Sequence, residues 1–487
     1  MNYKMICRFF SLICFLQTLF LLPPLGISIY DGEWRTVLGF AVAAAVSAVL
    51  FVMFKLISRN TTGTLYAKEG FVCVAASWIL MSLIGSIPLA VSGTFSSYID
   101  ALFEIVSGFT TTGASVHSNV ESLPRAINYW RCFTHWVGGM GVLVFLLALI
   151  PGSKKNEGFT MHLFRAESPG PEVGKLVPKL RQTAAVLYTT YILLTVLNFV
   201  FLVCGEMDVF EAVCTALGTA GTGGFGIKND SLASYSPYIQ TVTTVFMLLF
   251  AINFSCYYLL FLRQFKSVIR DEELRLYLCI VACAIGLITW NVFSTTTLYG
   301  TVGETVRHAA FQVASIISTS GFSTTDFNLW PSFSKGVLLI LMITGACAGS
   351  TCGGMKCARV LLLFKGLRRN IRRMLHPSRV EVVRVNGNAV DEKVMTNTNA
   401  YLSAYVIILF ASFLLVSLEG MSLETNFSAV MACFNNIGPG FDAVGPMGNF
   451  GGFGIFTKIV LIFDMLAGRL EIFPMLLLFS PGVWKRR

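Results

Sequence analysis

Asp100-Ala-Leu-Phe-Glu-Ile-Val-Ser-Gly-Phe-Thr-Thr-Thr-Gly113 is the first of four stretches of this chain that superimpose without a gap. The others are Glu211-Ala-Val-Cys-Thr-Ala-Leu-Gly-Thr-Ala-Gly-Thr-Gly-Gly224, His308-Ala-Ala-Phe-Gln-Val-Ala-Ser-Ile-Ile-Ser-Thr-Ser-Gly321 and Phe427-Ser-Ala-Val-Met-Ala-Cys-Phe-Asn-Asn-Ile-Gly-Pro-Gly440. Each starts as an apolar helix too short for the roughly 20 residues that cross a bilayer, so it reads as re-entrant. Each then runs into small residues ending on Gly. A loop of small residues lets backbone carbonyls face a common axis. Four such loops around one axis make a ring of oxygens, the construction that replaces the hydration shell of a K⁺ ion. One stretch alone would pass for ordinary small-residue helix packing; four in register argue for a repeat architecture.

Composition supports a membrane setting. Of 487 residues, 55% are hydrophobic and 13% charged, about half the roughly 25% charge of soluble domains. Ten spanning segments are predicted, near 6–29, 36–57, 70–93, 130–151, 183–204, 237–262, 275–297, 336–364, 400–418 and 454–480. The first begins with Lys4 and Arg8 before an apolar run and carries Pro23-Pro24; its length and lack of a convincing small-residue cleavage site make it a retained helix rather than a secretion signal. When loops are assigned alternately, most of the 36 Lys and Arg fall on one side. The other side holds Arg35, Arg125, Lys228, Arg307 and Lys335. That bias predicts cytoplasmic termini and four stretches entering from outside. The net charge of +10 is then topology, not a nucleic-acid footprint. Acids of the outer loops, among them Asp31, Glu33, Glu121, Asp208, Asp230, Asp326 and Asp442, either concentrate cations at a mouth or simply keep the loops soluble.

Nothing points to an enzyme. The 13 Cys are scattered without a Cys-x-x-Cys, and Cys347, Cys352 and Cys357 match no metal template. The five His form no cluster, and no phosphate-binding loop is present.

The predicted fold class is an all-α polytopic membrane protein, with two leading helices (1–69) and four repeats of helix, pore helix, filter and helix in a pseudo-fourfold pore. The repeats are placed at 70–152, at 153–264 with a preceding cytosolic loop, at 265–366, and at 399–487. A basic linker, 367–398, separates the last two. In it Val380-Glu-Val-Val-Arg-Val385 meets Asn386-Gly387 and Asn388-Ala-Val390, a hairpin signal. Beside it, Arg368, Arg369, Arg372 and Arg373 suit either a docking partner or anionic membrane lipids.

The aligned filter stretches are Thr110-Thr111-Thr112-Gly113, Gly221-Thr222-Gly223-Gly224, Ser318-Thr319-Ser320-Gly321 and Ile437-Gly438-Pro439-Gly440. Carbonyls supply oxygens without a fixed charge that would trap the ion, and Thr111, Thr222 and Thr319 add hydroxyls at the inner end. The fourth stretch lacks hydroxyls and contains Pro.

Gly345-Ala-Cys-Ala-Gly-Ser-Thr-Cys-Gly-Gly-Met-Lys356 interrupts the second span of the third repeat. It reads as a flexible gate loop lining the pore, with Gly349, Ser350, Thr351, Gly353, Gly354 and Lys356 as its working residues. The alternative is a tightly packed small-residue helix. Arg469, within Asp464-Met-Leu-Ala-Gly-Arg469-Leu-Glu471, is an intramembrane charge and so a functional candidate. It is read as a barrier facing the pore, or as a buried partner of Asp464 or Glu471, or as both.

These stretches, together with Trp130-Arg131, His135-Trp136-Val137-Gly138-Gly139-Met140-Gly141, Ala346–Lys356 and Gly468-Arg469-Leu-Glu471, resemble the TrkH family of the Trk/Ktr/HKT potassium-transporter superfamily over nearly the whole chain. The resemblance implies a four-repeat K⁺ pore, a homodimer in the bacterial inner membrane, and a cytosolic TrkA-type nucleotide-binding subunit that controls opening, so that nucleotide acts only through the partner. It also implies that 346–356 is the intramembrane gate and that Arg469 sits in the ion path. Two positions depart from the family pattern. Cys352 stands where Gly is common, and Ala114 follows its glycine where Phe225, Phe322 and Phe441 follow theirs. The leading expectation is K⁺ uptake down its electrochemical gradient. The alternatives are a Na⁺-preferring or non-selective cation pathway, and a membrane sensor or assembly subunit without flux.

Overall fold

The computed structural model describes residues 3–59, 67–141, 180–378 and 381–484. The far half of the span near 130–151, nearly all of the loop 152–182 and the terminal residues 485–487 lie outside the described residues. Three helices lead the chain, Tyr3–Phe20, Leu22–Asp31 and Trp34–Ile57. They pack on the first repeat: Phe40 meets Trp130 edge-on at 6.3 Å, and the Gln17 amide donates to the Met81 carbonyl at 2.8 Å. The opposite face of Trp34–Ile57 exposes Leu38, Val42, Val49, Val52, Met53 and Leu56. A helix apolar all round with one face uncovered is one that meets lipid.

The four re-entrant stretches are helices Tyr98–Phe109, Val209–Gly221, Val302–Ile317 and Leu423–Phe434. Local chemistry starts each of them. Ser97, Asp208, Thr301 and Ser422 accept hydrogen bonds from the backbone N–H of Ile99, Phe210, Glu304 and Thr425, satisfying donors that a helix start leaves orphaned. Asp100, Glu211, Glu304 and Glu424 lie in the first turns, where the helix dipole favours negative charge. The carbonyl ends, with their partial negative charge, all run into the central loops.

Among the described residues six helices are long and apolar enough to cross a membrane, or seven if Pro237–Phe250 and Phe254–Phe261, bent by 89°, count as one. The sequence reading placed ten. Three of the other four are the second helices of repeats two to four, which break; the fourth, near 130–151, lies partly outside the described residues. Pro237–Phe250 gives way at 251–253; Ser332–Thr344 and Cys357–Leu375 are separated by 345–356; Ile455–Arg469 and Phe473–Phe479 are separated by 470–472. Non-helical backbone at membrane depth is tolerated where protein buries it. Residues 346–348, 350–353 and 355–356 are buried, so that condition holds here. The first helices of repeats two to four stay whole: Leu180–Cys204, Glu272–Thr295 and Glu392–Val416.

The linker forms the expected hairpin. Arg384–Val385 pairs antiparallel with Asn388–Ala389, and Asn386 and Gly387 both take positive φ, 51° and 81°, as a type I′ turn requires.

Candidate ion-conduction site

Each pore helix ends in the same backbone device. A residue in the left-handed region follows the last turn: Thr111 (φ 57°), Thr222 (54°), Thr319 (55°) and Asn436 (54°). Its own N–H and that of the next residue bond back to the helix. Thr112 donates to Ser107, Gly223 to Gly218, Ser320 to Ser315 and Ile437 to Ala432. This is the six-to-one bond of a helix C-terminal motif. A β-branched residue at positive φ is an outlier; three of the four here are Thr, and such strain persists only where the surroundings enforce it. Two residues on stand Gly113 (φ 81°), Gly224 (76°), Gly321 (77°) and Gly438 (97°).

The fourth loop is thus two residues out of the gapless superposition. Its ring glycine is Gly438, not Gly440, and its stretch is Asn435-Asn436-Ile437-Gly438. Gly440 lacks positive φ, and its N–H donates to the Val444 carbonyl at 2.7 Å. The residue after the ring glycine is Pro439, so Phe441 is not the counterpart of Phe225 and Phe322.

The four glycines close a ring. A Cβ on Gly113 would overlap the Gly223 carbonyl oxygen, one on Gly224 that of Ser320, one on Gly321 that of Ile437, and one on Gly438 would lie 2.7 Å from that of Thr112. Each repeat presents the carbonyl that precedes its glycine to the glycine of the repeat before it. All four glycines, with Pro439, border one cavity. Arg131, His117 and Lys228 border it too, and no carboxylate does among the described residues. The outer acids have other work: Asp442 accepts from the hydroxyls of Ser422 and Thr425, Glu121 from the Asn229 N–H, and Asp326 from the Asn328 N–H.

Buried polar groups brace the ring from behind. Glu104, in the first pore helix, and Arg131 are both fully buried and paired at 2.7 Å. Glu104 also accepts from the Ser115 hydroxyl and the Val116 N–H, while the Arg131 guanidinium lies 4.1 Å over the Phe225 ring. His135 joins repeats one and two: its Nε2 accepts from the Phe225 N–H at 3.2 Å, and its Nδ1 lies 2.8 Å from the Gly108 carbonyl. Accepting at Nε2 leaves Nδ1 as the donor. Asn436 joins repeats four and one, its amide donating to Thr112 Oγ1 and to the Met465 carbonyl. None of Glu104, Arg131, His135 and Asn436 was singled out as a site residue from the sequence. A carboxylate inside an apolar pore helix was the available signal for Glu104.

The stretch 345–356 lies against the far side of the ring from the cavity. It is not a helix. Gly353 donates its N–H to Thr319 Oγ1 at 2.7 Å, and a Cβ on Gly353 would overlap the Asn435 carbonyl. Phe254, at the bend of repeat two, donates its N–H to the Gly349 carbonyl at 3.1 Å. Ser350 Oγ donates to the Cys347 carbonyl at 2.6 Å. Gly354 takes positive φ, and the buried Lys356 ammonium donates to the Cys352 carbonyl.

Arg469 ends its helix beside this loop. It donates to the Thr351 carbonyl at 2.7 Å, to that of Gly139 at 2.7 Å and to that of Gly138. One guanidinium therefore ties the fourth repeat to the loop of the third and to the helix end of the first. The pairing with Asp464 or Glu471 does not form: Asp464 takes the Ser412 hydroxyl at 2.6 Å, and Glu471 pairs with Arg359.

Of the four linker arginines, Arg369 holds Glu392 at 2.8 Å and Arg372 holds Glu381 at 2.5 Å. Arg368 and Arg373 are exposed.

A family profile described as a cation transport protein, TrkH, matches residues 35–485. The Trk system potassium uptake protein TrkH of Escherichia coli K12 is 35% identical with both chains fully covered, and the protein of that name from Halomonas elongata is 33% identical, again over both whole chains. The crystal structure of the potassium transporter TrkH from Vibrio parahaemolyticus superimposes with a TM-score of 0.87 at 31% identity, covering all of each chain. With a family match over most of its length and whole-chain likeness in sequence and fold, this multi-pass membrane protein belongs to the TrkH family, a family of cation transporters and not of enzymes.

Proposed function

We propose that the chain is a K⁺-uptake pore of the bacterial inner membrane, with both termini in the cytoplasm. The ring of Gly113, Gly224, Gly321 and Gly438 is its selectivity filter. The observation that carries this reading is the closure of that ring, in which each glycine abuts a carbonyl of the next repeat. A dehydrated K⁺ needs several oxygens at fixed spacing, and backbone carbonyls provide them. Four helix carbonyl ends aimed at the same place add partial negative charge. Thr110, Thr111, Thr112, Thr222, Gly223, Thr319 and Ser320 complete the lining, with Asn436 and Ile437 in the fourth loop. Pro439 and Gly440 take the rim.

The loop 346–356, with Gly349, Ser350, Thr351, Gly353, Gly354 and Lys356, is the gate, and Arg469 is its latch and an electrostatic barrier. At an effective dielectric near 20, a positive charge about 4 Å from K⁺ repels it by roughly 4 kcal/mol. The relatives named as Trk-system potassium uptake proteins support K⁺ over Na⁺. The working unit is a homodimer under a cytosolic TrkA-type subunit, through which nucleotide acts.

The test is ⁸⁶Rb⁺ uptake and growth at low K⁺ in cells that lack other K⁺-uptake systems, with and without the TrkA-type subunit. Rescue that depends on an intact ring supports the reading. Neither ⁸⁶Rb⁺ uptake nor rescue of growth, with normally inserted protein, refutes it in favour of a subunit without flux.

A further inference from the structure

Three consecutive acids begin the first helix of the third repeat, and they grip two different things. Asp271 Oδ2 accepts from the Asn386 side-chain amide at 2.7 Å. Glu272 Oε1 accepts from the Asn386 backbone N–H at 3.1 Å, while the Glu272 N–H donates to Asn386 Oδ1 at 2.9 Å. Asn386 is thus held by three hydrogen bonds at the exposed tip of the cytosolic hairpin. Glu273, the next residue, is buried and turned the other way: its Oε1 accepts the N–H of Ala348, in the loop under the ring, at 2.6 Å.

A second strand of contacts runs parallel to the first. Lys365, on the helix that leaves the loop, donates to Glu272 and to the Arg384 carbonyl of the hairpin, the latter at 2.6 Å. The hairpin is seated on that same helix by its own apolar residues, Val383 and Val385, which cluster with Leu362 and Met395. Both ends of the loop are therefore tied to one surface element, its start through Glu273 and its exit helix through Lys365 and Leu362.

We infer that the turn Asp271–Glu273 is a relay that couples the cytosolic hairpin 384–389 to the loop 345–356, with Glu273 as the positioning residue that holds the loop shut. A load on the hairpin tip shifts the helix start, and the helix start carries the Ala348 bond with it. Hydrogen bonds to a carboxylate are about twice as strong as neutral ones, and the hairpin joint has two of them, to Asp271 and Glu272; the loop joint is the 2.6 Å bond to Ala348. The relay rests on the gate reading above, but it has a readout of its own. Cys352 is buried in the loop and Cys214 in the second pore helix. A loop that opens exposes the first and leaves the second covered.

The experiment measures labelling of Cys352 by a water-soluble methanethiosulfonate, followed by mass spectrometry, on full-length protein in proteoliposomes, with ⁸⁶Rb⁺ flux recorded in parallel. Asn386→Ala and Glu273→Ala should each speed Cys352 labelling at least about fivefold, the lower end of ordinary site-to-site coupling. Cys214 should stay protected, and Glu273→Gln, which keeps an acceptor, should restore most of the parent rate. The double variant Asn386→Ala with Glu273→Ala should gain little over either alone, because both cut one path. Labelling equal to the parent in Asn386→Ala, additive effects in the double variant, or equal exposure of Cys214 would each overturn the relay. Faster Cys352 labelling with unchanged flux would leave the relay standing and remove the gate. Flux that rises on shortening 346–356 but not in Asn386→Ala would do the reverse.

Discussion

Gly438 of the fourth repeat abuts the carbonyl oxygen of Thr112 of the first, so closely that a methyl group on it would lie 2.7 Å from that oxygen. This contact closes a ring that the chain enters and leaves four times. It also fixes which residue of the fourth loop belongs to the ring, since Gly440 makes no such approach. A closed ring cannot widen at one repeat without moving its neighbours.

Arg469→Ala should raise K⁺ flux per inserted molecule roughly tenfold, the equivalent of about 1.4 kcal/mol off a barrier. The K⁺/Na⁺ ratio should not change. On the proposed reading the side chain blocks the path twice, by its charge and through its bond to the Thr351 carbonyl. Arg469→Lys should fall between, since an ammonium keeps the charge but not the planar fork that reaches three carbonyls. Flux in proteoliposomes, normalised to folded protein, is the measurement; flux at or below the parent's, with normal folding, rejects the barrier.

Glu104 and Arg131 should behave as a structural pair. Removing one member of a buried ion pair leaves the other charge uncompensated and costs about 3–5 kcal/mol. Glu104→Ala and Arg131→Ala should each lower the thermal midpoint of the detergent-solubilised protein sharply. A midpoint within a degree or two of the parent in either variant would show that the pair does not hold the outer loop.

The linker arginines should separate into two classes. Neutralising Arg369, which holds Glu392, should loosen the linker itself. Neutralising Arg368 and Arg373 should leave stability alone and weaken capture of a TrkA-type subunit, more at low salt than at high, because exposed charges are screened. Equal capture at low salt would assign these two to lipid or topology.

Acid should loosen the outer fourth loop. Hydrogen bonds from Ser422 and Thr425 hold the Asp442 carboxyl below its usual value of 3.8. A depressed folded pKa contributes stability that is present above the unfolded pKa and lost as pH falls through the folded one. Asp442→Asn should therefore show less loss of thermal stability than the parent between pH 5 and 3, read in one buffer series.

The repeat, the small-residue interruption and the hairpin were legible because each has a local signature: small residues after a short apolar run, Gly-rich sequence inside a span, and Asn-Gly between strands. The breaks at 251–253 and 470–472 were passed over because the apolar runs continue through them, although local signals were present: Asn253, whose side chain accepts the Ser255 N–H as a helix cap, and Gly468 and Pro474, which flank the second break. The fourth loop was misread by two residues because the superposition was anchored on the last glycine of Gly438-Pro439-Gly440. The helix starts held the better signal: Ser97, Asp208 and Ser422 stand equally far before Gly113, Gly224 and Gly438. The links made by His135 and Asn436 join distant segments, and nothing local in the sequence announces them.

The most direct test of the filter compares the K⁺/Na⁺ permeability ratio of Gly438→Ser with that of Gly440→Ala in proteoliposomes. A side chain at Gly438 meets both a left-handed backbone, at a cost of about 1–2 kcal/mol, and the Thr112 carbonyl. If the ring sets selectivity, Gly438→Ser lowers the ratio at least about tenfold, the change that about 1.4 kcal/mol gives. Gly113→Ser, Gly224→Ser and Gly321→Ser do likewise, while the folded fraction of Gly440→Ala keeps the parent ratio. A parent ratio in Gly438→Ser, or a loss confined to Gly440→Ala, would contradict it.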